Sequence, residues 1–331
     1  MSLRHLFLLP LAFAAMASAA EPYKIAGKVT GAGDGPWDYA YVDAANRRLL
    51  VARGDGVMAM DLDSEAVTPV FVPGKRVHGI VTTPSGMGVS SNGDSSSASV
   101  FKAADGKVIA EIPAGAKADA VVRDPKSGLV LVMNSKDGTV TFVDADKGKA
   151  AGDPLTVGGV LEFAAADKDG HVFVNVEDKN ELVVIDVAAR QVTARHPLTD
   201  CDSPTGLALD DDSHVLVASC ANGHAAALSA LDGHSIATLP IGKGPDAVMF
   251  DGKRKRFLVP CGEGVLTVIE EGAGGLSVLG SVTTERGART GAVDSKTGKI
   301  YLPTADFAPA EPGKRPAALP GSFHILVLSQ N

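Results

Sequence analysis

The chain is poor in several things that would make its function easy to read. It has three cysteines, one tryptophan and four tyrosines in 331 residues. No C-x-x-C-H for covalent haem, no P-loop and no G-x-S-x-G elbow is present, which removes the common local signatures of those chemistries. No segment keeps a helical apolar period between caps, so helix content is expected to be very low. Beyond residue 20 no apolar run is long enough for a membrane helix. Basic charge is also short, with 31 Lys and Arg against 39 Asp and Glu and a net charge of −8. An acidic surface repels phosphate backbones, which argues against nucleic acid as a partner. The one basic run, Lys253–Arg256, sits where other copies of the repeat described below have a hairpin turn, and reads as a solvated turn.

What is present begins with a leader. Arg4 precedes an apolar stretch over Leu6–Ala15, and Ala17-Ser18-Ala19 supplies small residues for cleavage. This is the layout of a secretory signal peptide. Residues 1–20 are read as signal and 21–331 as one domain, exported to the periplasm. Losing Arg4 leaves 30 basic residues against 39 acidic ones, a net charge of −9.

The domain is built on a repeat. DYAYVD (Asp38–Asp43), HGIVTT (His78–Thr83), DAVVRD (Asp119–Asp124), EFAAAD (Glu162–Asp167), TGLALD (Thr205–Asp210), DAVMFD (Asp246–Asp251) and RTGAVD (Arg289–Asp294) start 40, 41, 43, 43, 41 and 43 residues apart. Each is followed by a polar turn and a second apolar run such as RRLLVAR, HVLVASC or KRFLVPC. A β-rich period of 40–45 residues is the mark of a propeller blade. The expected fold is all-β, a seven-bladed β-propeller. The last copy is one strand short, and YKIAGKVTG (Tyr23–Gly31) matches the fourth strands KVIAEIPAG and SIATLPIG. The N-terminal strand is therefore expected to close the last blade.

In LVLVMNSKDGTVTFVD (Leu129–Asp144) and VFVNVEDKNELVVID (Val172–Asp186) the chain resembles the bacterial YVTN-repeat, or YncE-like, β-propellers. The likeness covers essentially the whole mature chain, although the Tyr-Val-Thr-Asn tetrapeptide is degenerate, Leu131–Asn134 being its nearest form. It implies architecture more than activity. Propellers of this repeat are similar to lactonases, to cofactor-binding propellers of redox enzymes and to exported binding proteins.

The first strand of a blade lines the channel, so the residues opening each copy should converge on one mouth. These are Asp38, His78, Asp119, Glu162, Thr205, Asp246 and Arg289. Such a ring suits a polar small molecule or a divalent cation such as Ca²⁺, with Asp119, Glu162, Asp246 and His78 as candidate ligands. The competing reading is a wet channel whose side chains cap loops. Trp37 and Tyr39 flank the ring, placed either to stack on a ligand or to pack the core. Three cysteines in an exported chain suggest one disulfide. Cys220 and Cys261 occupy equivalent points on neighbouring blades, too far apart for a bond, which favours Cys201–Cys220 and leaves Cys261 free. A proline-rich stretch, Ala305–Gly321, extends the last blade on the mouth face as a tolerated insertion, a flap or a docking arm.

The function expected is non-catalytic. The chain would act as a monomeric exported protein that binds a small molecule, an ion or a periplasmic protein on the ring face. A metal-dependent lactonase-type hydrolase, and an accessory propeller docking on a redox or envelope complex, are the alternatives.

Overall fold

The computed structural model describes residues 22–309 and 316–331. The expected leader, and the middle of the proline-rich stretch, lie outside the described residues. Seven separate antiparallel sheets make up the structure. The innermost strands are Trp37–Asp43, Val77–Thr82, Ala118–Arg123, Leu161–Ala166, Pro204–Asp210, Met249–Asp251 and Ala292–Asp294. Each touches the next, and the last touches the first, so the ring is closed. In the seventh sheet, Tyr23–Val29 pairs antiparallel with His324–Gln330 along its outer edge. The N-terminal strand thus completes the last blade, as the repeat count requires. In the third blade two short strands, Lys149–Ala150 and Leu155–Thr156, together take the place of the outer strand. The only helix among the described residues is a single 3₁₀ turn, Glu177–Lys179. None is long and apolar enough to cross a membrane.

Burial follows from this layout. A middle strand has neighbours on both faces, so Arg48–Arg53, Val130–Asn134 and Val215–Cys220 are apolar and buried almost throughout. An outer strand has one face in solvent, and Gln191–Pro197 alternates half-buried with exposed. The apolar core divides into seven clusters, each lying between two successive blades. Leu49, Val51 and Met60 of the first blade, for example, pack on Tyr301, Ile325 and Val327 of the last.

The recurring aspartate has a local cause. It ends the innermost strand, and its carboxylate accepts backbone N–H groups of the turn that follows. Asp124 takes those of Lys126 and Ser127, Asp167 those of Asp169 and His171, and Asp294 that of Lys296. Thr83, the exception in sequence, accepts the Met87 N–H through its hydroxyl instead.

The basic run departs from its expected role as a merely solvated turn. Arg254 pairs with Asp251 at 2.9 Å and donates to the Thr297 carbonyl of the next blade at 3.2 Å. Lys255 pairs with Asp210 of the preceding blade at 2.8 Å. A hairpin turn projects toward both neighbouring blades, and long cationic side chains reach the turn aspartates there.

Candidate functional site at the channel mouth

Five of the seven ring positions share a backbone device. Pairing between the first and second strands slips between Trp37 and Ala40, Val77 and Ile80, Ala118 and Val121, Leu161 and Ala164, and Pro204 and Leu207. The slip therefore falls on Asp38, His78, Asp119, Glu162 and Thr205 in turn. A β-bulge takes a residue out of the ladder and re-aims its side chain. In the sixth and seventh blades, Asp246 and Arg289 lie just ahead of shortened strands that begin at Met249 and Ala292.

Three of these residues meet closely. His78 Nδ1 lies 2.6 Å from Asp38 Oδ2 and 3.8 Å from Asp119 Oδ1. One donor atom from each falls within 4.8 Å of the others, the only such group among the described residues. His78 and Asp119 are buried, at 6% and 5% exposure. The Ser135 hydroxyl donates to Asp119 Oδ2 at 3.1 Å, and Lys117 Nζ stands 3.5 Å from the same oxygen. Gly93 makes room for the imidazole, since a Cβ there would come 2.8 Å from the ring of His78.

The remaining ring members are arranged differently. Arg289 Nε pairs with Asp246 Oδ2 at 3.2 Å. Thr205 Oγ1 turns to the Pro245 carbonyl, 3.2 Å away, and is spent on backbone. Glu162 accepts from the Tyr39 hydroxyl at 3.3 Å. Glu162 and Asp246, taken from the sequence as candidate metal ligands, lie outside the close group.

Tyr39 is the residue that sequence reasoning undervalued. It is 5% exposed and reaches from the first blade to the fourth, across the channel, where it meets Phe163 edge-on at 4.8 Å. Tyr39 and Phe163 also line a cavity of about 640 Å³ whose other walls are the later residues of the first four inner strands, toward the opposite end. Glu177 was missed as well. It follows the second strand of its blade, where the other blades carry Gly54, Gly93, Ser135, Ala221, Gly262 and Ala305. A lone carboxylate in that small-residue series is the signal that would have found it.

Proton affinities at the mouth reflect crowding of acids. Burial pushes Glu162 up to about 9, with the charges of Asp119, Asp246 and Glu177 adding to it. Burial likewise raises Asp246 to about 7, Arg289 opposing and Asp38 and Asp119 reinforcing. Asp119 is raised chiefly by burial, against the pull of His78. Burial alone would lower His78, but the hydrogen bond to Asp38 and the charges of Asp119 and Asp38 outweigh it, and it is raised. Tyr39 is held well above 10 by burial and by four carboxylates. The mouth thus carries more negative charge than its own cations satisfy, an arrangement that favours protons or an added cation.

On the same face Cys201 and Cys220 form a disulfide with Cα atoms 5.1 Å apart, tying the loop that leads into the fifth blade to the end of its second strand. Cys261 is free and buried, and burial pushes its thiol up to about 12.

No protein-family model and no curated protein sequence matches this chain. Among solved structures it is similar to a chain of the Kuenenia stuttgartiensis hydrazine synthase, at 15% identity and a TM-score of 0.70, over 83% of this chain and 94% of that one. At that identity the likeness is one of fold.

Proposed function

We propose that this propeller is an exported binding protein that takes a divalent cation, or a small ligand carrying one, at the channel mouth, with Asp38, His78 and Asp119 as the cation ligands. The observation that carries this reading is the meeting of an imidazole and two carboxylates at three successive bulges. Donor atoms around one ion at bond lengths of about 2.0–2.2 Å lie roughly 3–4 Å apart; His78 Nδ1 and Asp119 Oδ1 meet that at 3.8 Å, and an entering ion would replace the 2.6 Å hydrogen bond between His78 and Asp38. An imidazole beside two carboxylates suits Zn²⁺ or Mn²⁺ better than the Ca²⁺ expected of the wider, oxygen-rich ring. In this reading Ser135 and Lys117 orient the Asp119 carboxylate.

The test is metal content of the mature protein purified without chelator, followed by calorimetric titration with Zn²⁺, Mn²⁺ and Ca²⁺. Asp119→Asn should abolish uptake, whereas Glu162→Gln should keep it. Equal uptake by wild type and Asp119→Asn would sink the proposal. Three protein donors leave coordination positions open to water, which is the one feature that favours the hydrolase alternative. Turnover of a lactone panel by the metal-loaded protein, lost in Asp119→Asn, would move the reading from binding to catalysis.

A further inference from the structure

Beside the ring, on the same face, lies a second feature that the cation reading does not use. It is a pocket of about 370 Å³ with Arg76, Arg286 and Arg289 around it, and Trp37, Phe307 and Pro316 among its other walls. A volume of this order holds a small organic molecule. Arg289 is engaged by Asp246, but among the described residues Arg76 and Arg286 have no carboxylate partner, and both are exposed. Arginines without an acid to pair with are unexpected in a chain with eight more acids than bases. Guanidinium groups in such a cluster match carboxylate in shape and charge.

The apolar walls are aromatic. Trp37 and Phe307 are half-buried, with ring centroids 6.2 Å apart, and Trp37 rests on Phe323 at 5.3 Å. Phe307 belongs to the proline-rich stretch, whose described ends fold into a short ladder: Ala308 donates to Ala317 and Leu319 to Asp306. Gly287 admits that ladder, because a Cβ there would strike the Phe307 ring at 2.5 Å. The described ends of the stretch are thus seated against the pocket by Phe307, which brings a phenyl ring beside the Trp37 indole at a basic opening.

We propose that this pocket binds a flat organic anion, an aromatic or conjugated carboxylate, with its ring against Trp37 and Phe307 and its charge on Arg76 and Arg286. The inference deepens the binding reading, because the two features are contiguous in the chain. Trp37 precedes Asp38, Arg76 lies two residues from His78, and Arg289 holds Asp246. A carboxylate in the pocket and a cation on the trio would be parts of one ligand, or ligands of neighbouring subsites.

Trp37 is the sole tryptophan, so its fluorescence reports on this pocket directly. The experiment titrates the metal-stripped protein with benzoate and benzene-1,3-dicarboxylate, using benzamide and cyclohexanecarboxylate as controls. The expected result is a saturable change in Trp37 emission for the two aromatic acids, with benzamide and cyclohexanecarboxylate bound much more weakly. Arg286→Gln and Arg76→Gln should each weaken binding about tenfold or more, as loss of a charge-assisted hydrogen bond does. Asp119→Asn should leave it intact in the absence of metal, while Arg286→Gln should leave metal uptake intact, so failure of either site is separable from failure of the other. No saturable response, equal responses to benzoate and benzamide, or an unchanged titration in both arginine variants would overturn the proposal.

Discussion

Glu162 gives the most direct handle on the channel mouth. Its carboxyl keeps a proton to about pH 9 in the folded protein, against an ordinary value of 4.5. Between those values the native state binds more protons than the unfolded chain. Its contribution to stability is therefore complete below about 4.5 and is lost as pH rises toward 9. At about 1.36 kcal/mol per pKa unit the ceiling is roughly 6 kcal/mol. Burial is the main cause of that shift, and the side chain is only half-buried at the mouth, where water also screens the neighbouring acids, so about 2–3 kcal/mol is the working figure. Unfolding entropy of about 2.1 cal/mol/K per residue over about 300 ordered residues makes that roughly 4 °C in Tm. The assay is calorimetric Tm in chelator at a series of pH values from 5 to 9, for wild type and Glu162→Gln. Wild type should lose stability across the range, Asp246 and Asp119 contributing to the same slope, and the variant should lose about 4 °C less. A divalent cation bound at the trio should flatten the wild-type slope, because its charge favours the ionised form. Identical slopes in the two proteins would refute the crowding argument.

Other perturbations follow from the same geometry. Gly93→Ala should displace the His78 imidazole, lowering Zn²⁺ affinity in calorimetry and costing about 1–3 kcal/mol in denaturant unfolding. Cys201→Ser opens a loop whose ends are 19 residues apart and should cost about 3 kcal/mol, read as an earlier urea midpoint against the oxidised wild type. The Cys261 thiol should resist an aromatic disulfide reagent at pH 8 until the protein is unfolded, because burial holds it protonated; rapid reaction in the native state would contradict that burial. Arg254→Ala should destabilise the protein by about 1–3 kcal/mol through the buried Asp251 it leaves unpaired, in contrast to the near-neutral Lys253→Ala, compared by urea unfolding.

The blades could be read from the chain because their cause is local. An aspartate that closes a turn by capping N–H groups within four residues leaves its mark at six of the seven copies, Thr83 standing in at the other, and apolar runs on either side mark the strands. The ring could be read for the same reason, since the residue at the bulge keeps a fixed offset from that aspartate. What each ring residue does with its side chain could not be read. His78 meets Asp38 and Asp119 across 40 and 41 residues, Glu162 meets Tyr39 across 123, and the Thr290 hydroxyl reaches the Asp38 carbonyl across 252. Such meetings depend on blade order around a closed circle and on which way a bulge turns each side chain. The basic run forms the turn expected of it and shows the same dependence. Its composition describes a turn, but its partners Asp210 and Thr297 sit on other blades.

The edge pairing of Tyr23–Val29 with His324–Gln330 has a temporal meaning. Tyr23–Val29 cannot find its place until His324–Gln330, about 300 residues later, has been made. Until then the seventh blade shows an open edge and the first and last blades cannot lock. A growing chain would carry six wedges and an unpaired leading strand, and the channel mouth, which needs Asp38 and Arg289 in the same circle, would not yet exist. The complete ring would then arrive in one step, with the closing of the seam, and a fragment lacking either strand should fail at the far end of the chain as much as at the cut.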